Sequence, residues 1–135
     1  MPKRILVADD DGLIRRMLHN LFEDEPDYDL CAEARNGEEA VALAKRHQPD
    51  LVILDFSMPV MNGIEAAREL KKIMPNVPIV LFTLFPPSAT ELALGEFSVD
   101  RIVPKSEVSH LMTHIRQLTP PFPSLNTISQ VPVVV

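Results

Sequence analysis

The fold of this chain is decided by the stretch Asp50-Leu-Val-Ile-Leu-Asp55-Phe-Ser-Met-Pro59-Val-Met-Asn-Gly63. Its four consecutive apolar residues, Leu51 to Leu54, are typical of a buried strand, and Asp55 follows them directly. A turn with proline, asparagine and glycine comes next, and a helical pattern then runs over residues 64–74. A carboxylate at the C-terminal end of a buried strand lies where open α/β sheets place their chemistry, and it gains little from packing. Asp55 is therefore the first candidate functional residue.

Three further apolar runs also end in polar residues. The runs and the residues that follow them are Ile5 to Ala8 with Asp9, Asp10 and Asp11, Pro78 to Phe82 with Thr83, and Arg101 to Pro104 with Lys105. Helical patterns separate the runs, which predicts a parallel sheet with right-handed crossovers. The ends of parallel strands lie at one edge of the sheet, so we expect these polar residues to converge with Asp55 on one cleft.

Five strands and five helices are predicted in alternation. The predicted strands cover residues 4–8, 29–34, 51–54, 78–82 and 101–103. The predicted helices cover residues 12–23, 37–47 with Asn36 as cap, 64–74, a fourth that opens at the capping box Ser88-Ala-Thr-Glu91, and 106–118. Prolines break the pattern after Thr119. We therefore expect a domain over residues 1–119 and a proline-rich C-terminal tail over residues 120–135.

The composition indicates one globular domain, since the chain has 135 residues of which 46% are apolar. The net charge of −6 without a basic patch argues against direct binding of nucleic acid. The single cysteine, Cys31, excludes an internal disulfide and is expected to be a buried thiol in a reducing compartment. We find no signal-peptide pattern and no apolar run near the ~18 residues of a membrane helix, so a cytoplasmic protein without membrane contact is expected.

The order of these polar residues resembles the receiver domain of two-component response regulators, the family of the chemotaxis receiver. The resemblance covers residues 3–118 and rests on Asp9-Asp10, Asp55, Thr83 and Lys105, together with Met58-Pro59 and Met61-Asn62-Gly63. The segment Ala32-Glu-Ala-Arg-Asn-Gly-Glu-Glu-Ala40 is similar to receivers of LuxR-type regulators. The resemblance implies a flavodoxin-like, doubly wound α/β fold with five parallel strands in the order 2-1-3-4-5 and five helices.

A magnesium site is expected at the acidic residues. Two unit charges ~4 Å apart repel by about 4 kcal/mol at an effective dielectric constant of ~20. We therefore expect a divalent cation to bridge the cluster of carboxylates. Oxygen ligands around a small site suit Mg²⁺. The resemblance implies that Asp10, Asp55 and the backbone carbonyl of Ser57 ligate the ion, while Asp9 acts through a water on it.

The same resemblance implies that Asp55 is the phosphoacceptor. A carboxylate can attack a phosphoryl group and form an aspartyl phosphate. The resemblance gives Lys105 the role of a positive charge near a phosphoryl oxygen, and it gives Thr83 the role of a hydrogen-bond donor to the phosphoryl group.

The implied function is a switch and not an enzyme that acts on metabolites. A histidine kinase or phosphotransfer protein would phosphorylate the chain and change the face formed by the fourth helix, the fifth strand and the fifth helix. A downstream protein target and a DNA-binding output domain outside this chain are both open alternatives, and a phosphorylation-linked homodimer is compatible with either. The runner-up function is a Mg²⁺-dependent phosphatase that works through an aspartyl phosphate. It would need an acid/base aspartate two residues after the nucleophile, where Ser57 stands.

Two positions depart from the pattern of the resembled family. Ile102 stands where many receivers have Tyr or Phe, and Ser106 stands where a proline usually follows the lysine. We therefore expect no aromatic switch at residue 102. Phe85, two residues after Thr83, either covers a phosphoryl group or turns away to pack against the fourth helix.

Other polar residues have simpler interpretations. Asp11 is expected to be a carboxylate at a helix N-terminus, where the helix dipole favours it. Arg15-Arg16 is interpreted as a solvated helix face, which in the resembled family helps to dock the kinase. His110 and His114 have a spacing that could suit a metal, but no third ligand is evident, so we expect them to be exposed or partly packed.

Overall fold

The computed structural model describes residues 1–85, 87–88 and 98–121. The strands in these ranges are β1 (Lys3–Ala8), β2 (Tyr28–Ala34), β3 (Leu51–Leu54), β4 (Ile79–Thr83) and β5 (Arg101–Pro104). The α-helices in the same ranges are α1 (Gly12–Glu23), α2 (Gly37–His47), α3 (Gly63–Ile73) and α4 (Val108–Leu118). None of these helices has the length and apolar character that crossing a bilayer demands.

The five strands form one parallel sheet in the order β2-β1-β3-β4-β5, which confirms the expected strand order. The chain builds the sheet outward from β1 in one direction and from β3 in the other. The crevice between the carboxyl ends of β1 and β3 is therefore the point where such folds bind their ligands.

The fourth predicted helix lies outside the described residues beyond Ser88, where it was expected to open. Residues 122–135 of the predicted tail lie outside them as well. The helix α4 corresponds to the fifth predicted helix. It begins at Val108 and not at Ser106, because residues Lys105–Glu107 form a 3₁₀ turn first.

The central strands are buried on both faces, which explains their unbroken apolar runs. One face of the sheet packs against α2 and α3 through a cluster that includes Leu6, Val52, Leu54, Leu81, Ile64 and Leu70. The other face packs against α1 and α4 through a cluster that includes Val7, Ile53, Phe82, Leu18, Leu111 and Ile115. Successive strand residues point to opposite faces, so a strand covered on both sides has no polar position.

Side-chain caps start three of the helices directly after the loops at the carboxyl edge of the sheet. Asp11 accepts from the backbone of Leu13 at 2.9 Å, and Asn36 accepts from that of Glu39 at 2.8 Å. Asn62 and Glu65 form a reciprocal capping box with bonds of 2.9 and 3.1 Å. Each cap stabilises its helix by about 1 kcal/mol, and the box at Asn62 was not predicted.

Candidate functional site

A cavity of about 300 Å³ opens at the carboxyl edge of the sheet. Its lining consists of Asp9, Asp10, Asp11, Asp55, Ser57, Thr83, Leu84, Phe85 and Lys105. All of the residues that the sequence predicted for the site are present there. The structure thus brings together residues that are up to 96 positions apart, from Asp9 to Lys105.

Three carboxylates form the acidic side of the cavity. Asp9, Asp10 and Asp55 each offer an oxygen, and these oxygens lie within 4.8 Å of one another. Asp9 and Asp55 are 2% and 6% exposed, whereas Asp10 is open to solvent. This all-oxygen donor set, with one ligand reachable from solvent, fits a hard cation such as Mg²⁺. It is also the one cluster of three such ligand groups within residues 1–85, 87–88 and 98–121, so His110 and His114 belong to none there.

The backbone of neighbouring strands places the two buried carboxylates. The N–H of Asp9 donates to the Ala34 carbonyl at 3.0 Å, and the N–H of Asp55 donates to the Ala8 carbonyl at 2.9 Å. The chain then returns so close to Asp55 that a Cβ at Gly63 would overlap the Asp55 carbonyl oxygen. The first helical residue of α3 thus packs directly against the candidate phosphoacceptor.

Lys105 is the positive charge that faces these carboxylates. Its Nζ lies 2.7 Å from Asp9 Oδ2 and 3.3 Å from Asp55 Oδ2, and its side chain is 8% exposed. Burial alone would lower the pKa of Lys105, but the hydrogen bond and charge of Asp9, together with Asp55, outweigh burial and raise that pKa. Burial also raises the pKa of Asp9, against the hydrogen bonds that it accepts from Lys105 and from the Asp11 N–H. The lysine therefore stays charged and compensates the acidic pair.

Thr83 lies at the end of β4 with 1% exposure, and its hydroxyl donates a long hydrogen bond of 3.4 Å to the Phe85 carbonyl. The next two side chains, Leu84 and Phe85, are 63% and 76% exposed. The Phe85 ring borders the cavity without being buried in it. Whether it contacts the fourth predicted helix falls outside the described residues.

The connection from β3 to α3 has a strained turn that the sequence analysis missed. The Met61 N–H donates to the Pro59 carbonyl at 2.7 Å, and Val60 between them has a φ of 70°. A three-residue turn with positive φ is rare, and a β-branched residue is disfavoured there. No residue pattern in the sequence indicates this strain, because valine is not typical of turns. Only the backbone conformation shows it.

Two simpler predictions are wrong in part. Arg15 is not solvated: its side chain is 17% exposed and donates from Nη1 to the Asp9 carbonyl at 2.6 Å, whereas Arg16 is exposed as expected. Cys31 is only partly buried, because it lies on β2 at the edge of the sheet. Burial still raises the pKa of its thiol.

The prediction for Asp11 is confirmed, since its carboxylate lies at the N-terminus of α1 and caps that helix.

Residues 5–116 match the family model of the response regulator receiver domain. This chain therefore belongs to the response regulator receiver domains of two-component systems, as the strand-end residues predicted. Receiver domains are typically signalling domains without enzymatic activity. Phosphorylation on aspartate, with Mg²⁺ bound at an acidic site, is general for the family.

Individual relatives agree with this assignment. The transcriptional regulatory protein PdtaR of Mycobacterium tuberculosis is 36% identical over 131 residues, which cover 88% of this chain and 61% of PdtaR. A crystal structure of a LuxR-family response regulator from Aurantimonas sp. SI85-9A1 has a TM-score of 0.79 at 31% identity, covering 87% of this chain and 85% of that one. The response regulator TrrA of Thermotoga maritima, in complex with Mg²⁺ and BeF, has a TM-score of 0.74 at 36% identity, covering 86% and 98%.

This chain spans only part of the first relatives that it matches, 31% of one and 61% of another. The activities of those whole proteins are therefore not carried over to it.

Proposed function

We propose that this chain is the phosphoacceptor of a two-component signalling system and that Asp55 is the residue that is phosphorylated. The observation that carries the proposal is the position of Lys105, whose Nζ bridges Asp9 and Asp55 in the cavity at the carboxyl edge. A buried lysine between two buried carboxylates costs desolvation that a purely structural ion pair rarely recovers. Such an arrangement of buried charges is typical of a functional site that binds a charged group.

The chemistry assigned to Asp55 is nucleophilic. One carboxylate oxygen attacks the phosphorus of the donor, the bond from phosphorus to the donor atom breaks, and the donor leaves with its electron pair. The new oxygen–phosphorus bond makes an acyl phosphate. In this proposal Lys105 turns from the carboxylates to a phosphoryl oxygen, and the Thr83 hydroxyl donates to another.

The metal ligands in this proposal are Asp10, Asp55 and the backbone carbonyl of Ser57, with Asp9 acting through a water. The oxygens of Asp9, Asp10 and Asp55 within 4.8 Å of one another support a small hard cation. When it is bound, Mg²⁺ neutralises charge on the transferred group. Ser57 lines the same cavity with an exposed side chain, which leaves its surroundings open to a ligand.

We further propose a histidine kinase or phosphotransfer protein as donor and either a protein target or an output domain outside this chain as receiver of the signal. The segment from Thr83 to Phe85 and the face that includes β5 and α4 are the expected sites of change. A cytoplasmic location and a phosphorylation-linked homodimer stay predictions. The phosphatase alternative is not favoured, because an exposed serine occupies the position that its acid/base carboxylate would need.

The proposal is tested by incubating the protein with acetyl phosphate and Mg²⁺ and measuring the intact mass. We expect the wild type to gain one phosphoryl group, and to gain none when a chelator removes the metal. Asp55→Asn should abolish labelling. Asp29→Asn is a matched control, because it removes one exposed carboxylate on β2 and should be labelled normally. Labelling of Asp55→Asn to the wild-type extent would show that the assignment is wrong.

A further inference from the structure

Arg15 contacts both ends of the Asp9-Asp10-Asp11 segment. Its backbone N–H donates to the Asp11 carbonyl at 3.1 Å, and its Nη1 donates to the Asp9 carbonyl at 2.6 Å. Asp10, whose carboxylate belongs to the acidic cluster, lies between these two carbonyls. The bond to Asp11 is the ordinary i→i−4 bond of the helix, so the arginine side chain itself supplies the restraint at the Asp9 carbonyl, directly before Asp10.

The direction of the Arg15 side chain is set by the helix and by a second partner. Side chains on a helix point back toward its N-terminus, which brings this guanidinium from the first turn of α1 to the preceding loop. Its Nε lies 4.0 Å from Oε1 of Glu33 on β2. Because a guanidinium is a rigid planar fork, a partner at Nε also aims Nη1. The side chain is 17% exposed, so packing limits its other orientations.

The charge of Arg15 is paired with Glu33, but two other effects oppose it. A cation in the first turn of a helix opposes the helix dipole. It also repels a divalent cation that binds to the nearby carboxylates. What the position does provide is a charge-assisted hydrogen bond to the Asp9 carbonyl, which is shorter and stronger than a neutral one. If the charge of Arg15 decides, its replacement should strengthen Mg²⁺ binding. If the hydrogen bond to the Asp9 carbonyl decides, its replacement should weaken Mg²⁺ binding.

We propose that Arg15 is a positioning residue of the metal site, which holds the Asp9-Asp10-Asp11 backbone so that the Asp10 carboxylate faces Asp55. The inference rests on the proposed function, because it concerns how the proposed ligands of Mg²⁺ are oriented. Arg15 touches neither the ion nor the phosphoryl group in this role. It acts through the carbonyl of Asp9, since the backbone bond to Asp11 persists in every variant.

The test is calorimetric titration of the 135-residue chain with Mg²⁺ alone, with urea unfolding of each variant as a check on the fold. The variants are Arg15→Gln, which removes the charge and the fork, Arg15→Lys, which keeps the charge, and Arg16→Gln. Arg16 is a matched control, because it is the next residue of α1, is exposed, and has no ion pair or side-chain hydrogen bond to the described residues.

We expect Arg15→Gln to raise the Kd for Mg²⁺ about tenfold, the lower end of the range for residues that orient metal ligands. Arg15→Lys should lose part of the affinity although its charge is kept, and Arg16→Gln should bind as the wild type does or slightly more tightly. Tighter binding by Arg15→Gln would show that only its charge matters and would overturn the proposal. Unchanged affinity in a folded Arg15→Gln would overturn it too, as would variants that do not fold, since Arg15 is then a structural residue. A wild type that binds no Mg²⁺ would instead refute the proposed function.

Discussion

At the ends of β1 and β3, backbone hydrogen bonds hold the two buried aspartates of the site, whereas at the ends of β4 and β5 the site contacts among the described residues are made by the side chains of Thr83 and Lys105. The β1/β3 side consists of Asp9, Asp10 and Asp55, with backbone hydrogen bonds of 2.9 and 3.0 Å at the two buried aspartates. The β4/β5 side consists of the segment from Thr83 to Phe85 and of Lys105. The hydrogen bond from the Thr83 hydroxyl to the Phe85 carbonyl is 3.4 Å long, and Lys105 opens a 3₁₀ turn without a side-chain cap.

This difference suits the division of work that we propose. A nucleophile and metal ligands must be placed before the reaction, because positioning accounts for much of the rate of phosphoryl transfer. Elements that respond to a ligand come from the less stable part of a structure. We expect the exposed pair Leu84 and Phe85, next to Thr83, to be such an element.

The largest expected effect is on the β1/β3 side, from Gly63→Ala. The added Cβ would overlap the Asp55 carbonyl oxygen, so the backbone of β3 or α3 must shift. We expect the free energy of unfolding to fall by about 1–3 kcal/mol, as for other overpacked sites, and labelling by acetyl phosphate to slow. Urea unfolding and intact mass measure the two effects. Gly12→Ala is the control for stability, because the nearest atom to its Cβ would be Nη2 of the flexible Arg15 side chain at 3.4 Å; an equal loss of stability there would mean that close packing at Asp55 is not the cause.

Asp10→Asn should separate metal binding from stability on the same side. Removing one of three clustered carboxylates relieves repulsion in the metal-free protein. We expect weaker Mg²⁺ binding and a metal-free fold that is as stable as the wild type or more so. Titration with Mg²⁺ and urea unfolding under chelation check the prediction. A clear loss of metal-free stability would instead identify Asp10 as a structural residue.

The next prediction concerns where the β4/β5 side responds. A phosphoryl group shifts a conformational equilibrium only through contacts that differ between the two states. The Thr83 hydroxyl has one proton, so donating it to a phosphoryl group releases the Phe85 carbonyl. We expect amide exchange at Leu84 and Phe85 to change when beryllofluoride binds, with little change at Ile102. A large change centred on Ile102 would contradict this prediction.

The smallest expected effect is on the lifetime of the phosphorylated protein. The Phe85 ring borders the cavity and offers no polar group to orient an attacking water. Phe85→Ala should therefore shorten the lifetime of the phosphorylated protein. Because the ring is 76% exposed, we expect less than a tenfold change, which corresponds to less than about 1.4 kcal/mol in activation free energy. Loss of label in excess Mg²⁺ measures the lifetime. Leu84→Ala serves as the control, and an unchanged or longer lifetime in Phe85→Ala would show that the ring does not shield the site.

Most of the fold could be predicted because its signals are local. Each central strand is an unbroken apolar run, and each run ends in the polar residue that the structure places in the cavity. One predicted helix boundary was wrong, because the conformation of the preceding loop determines where that helix begins. The start of α4 moved to Val108 because the 3₁₀ turn at Lys105–Glu107 precedes it, and no residue pattern there distinguishes a 3₁₀ turn from the first turn of an α-helix.

The amino-acid sequence by itself determined the strands, their common edge and the residue types that meet there, because burial on two faces and the alternation with helices constrain them. Only the tertiary structure decided which partners those residues have. It paired Lys105 with Asp9 and Asp55, and it turned Arg15 from an expected surface charge to the Asp9 carbonyl. Such contacts depend on loop paths and side-chain directions across distant elements, and those follow from packing the whole domain and not from any local pattern.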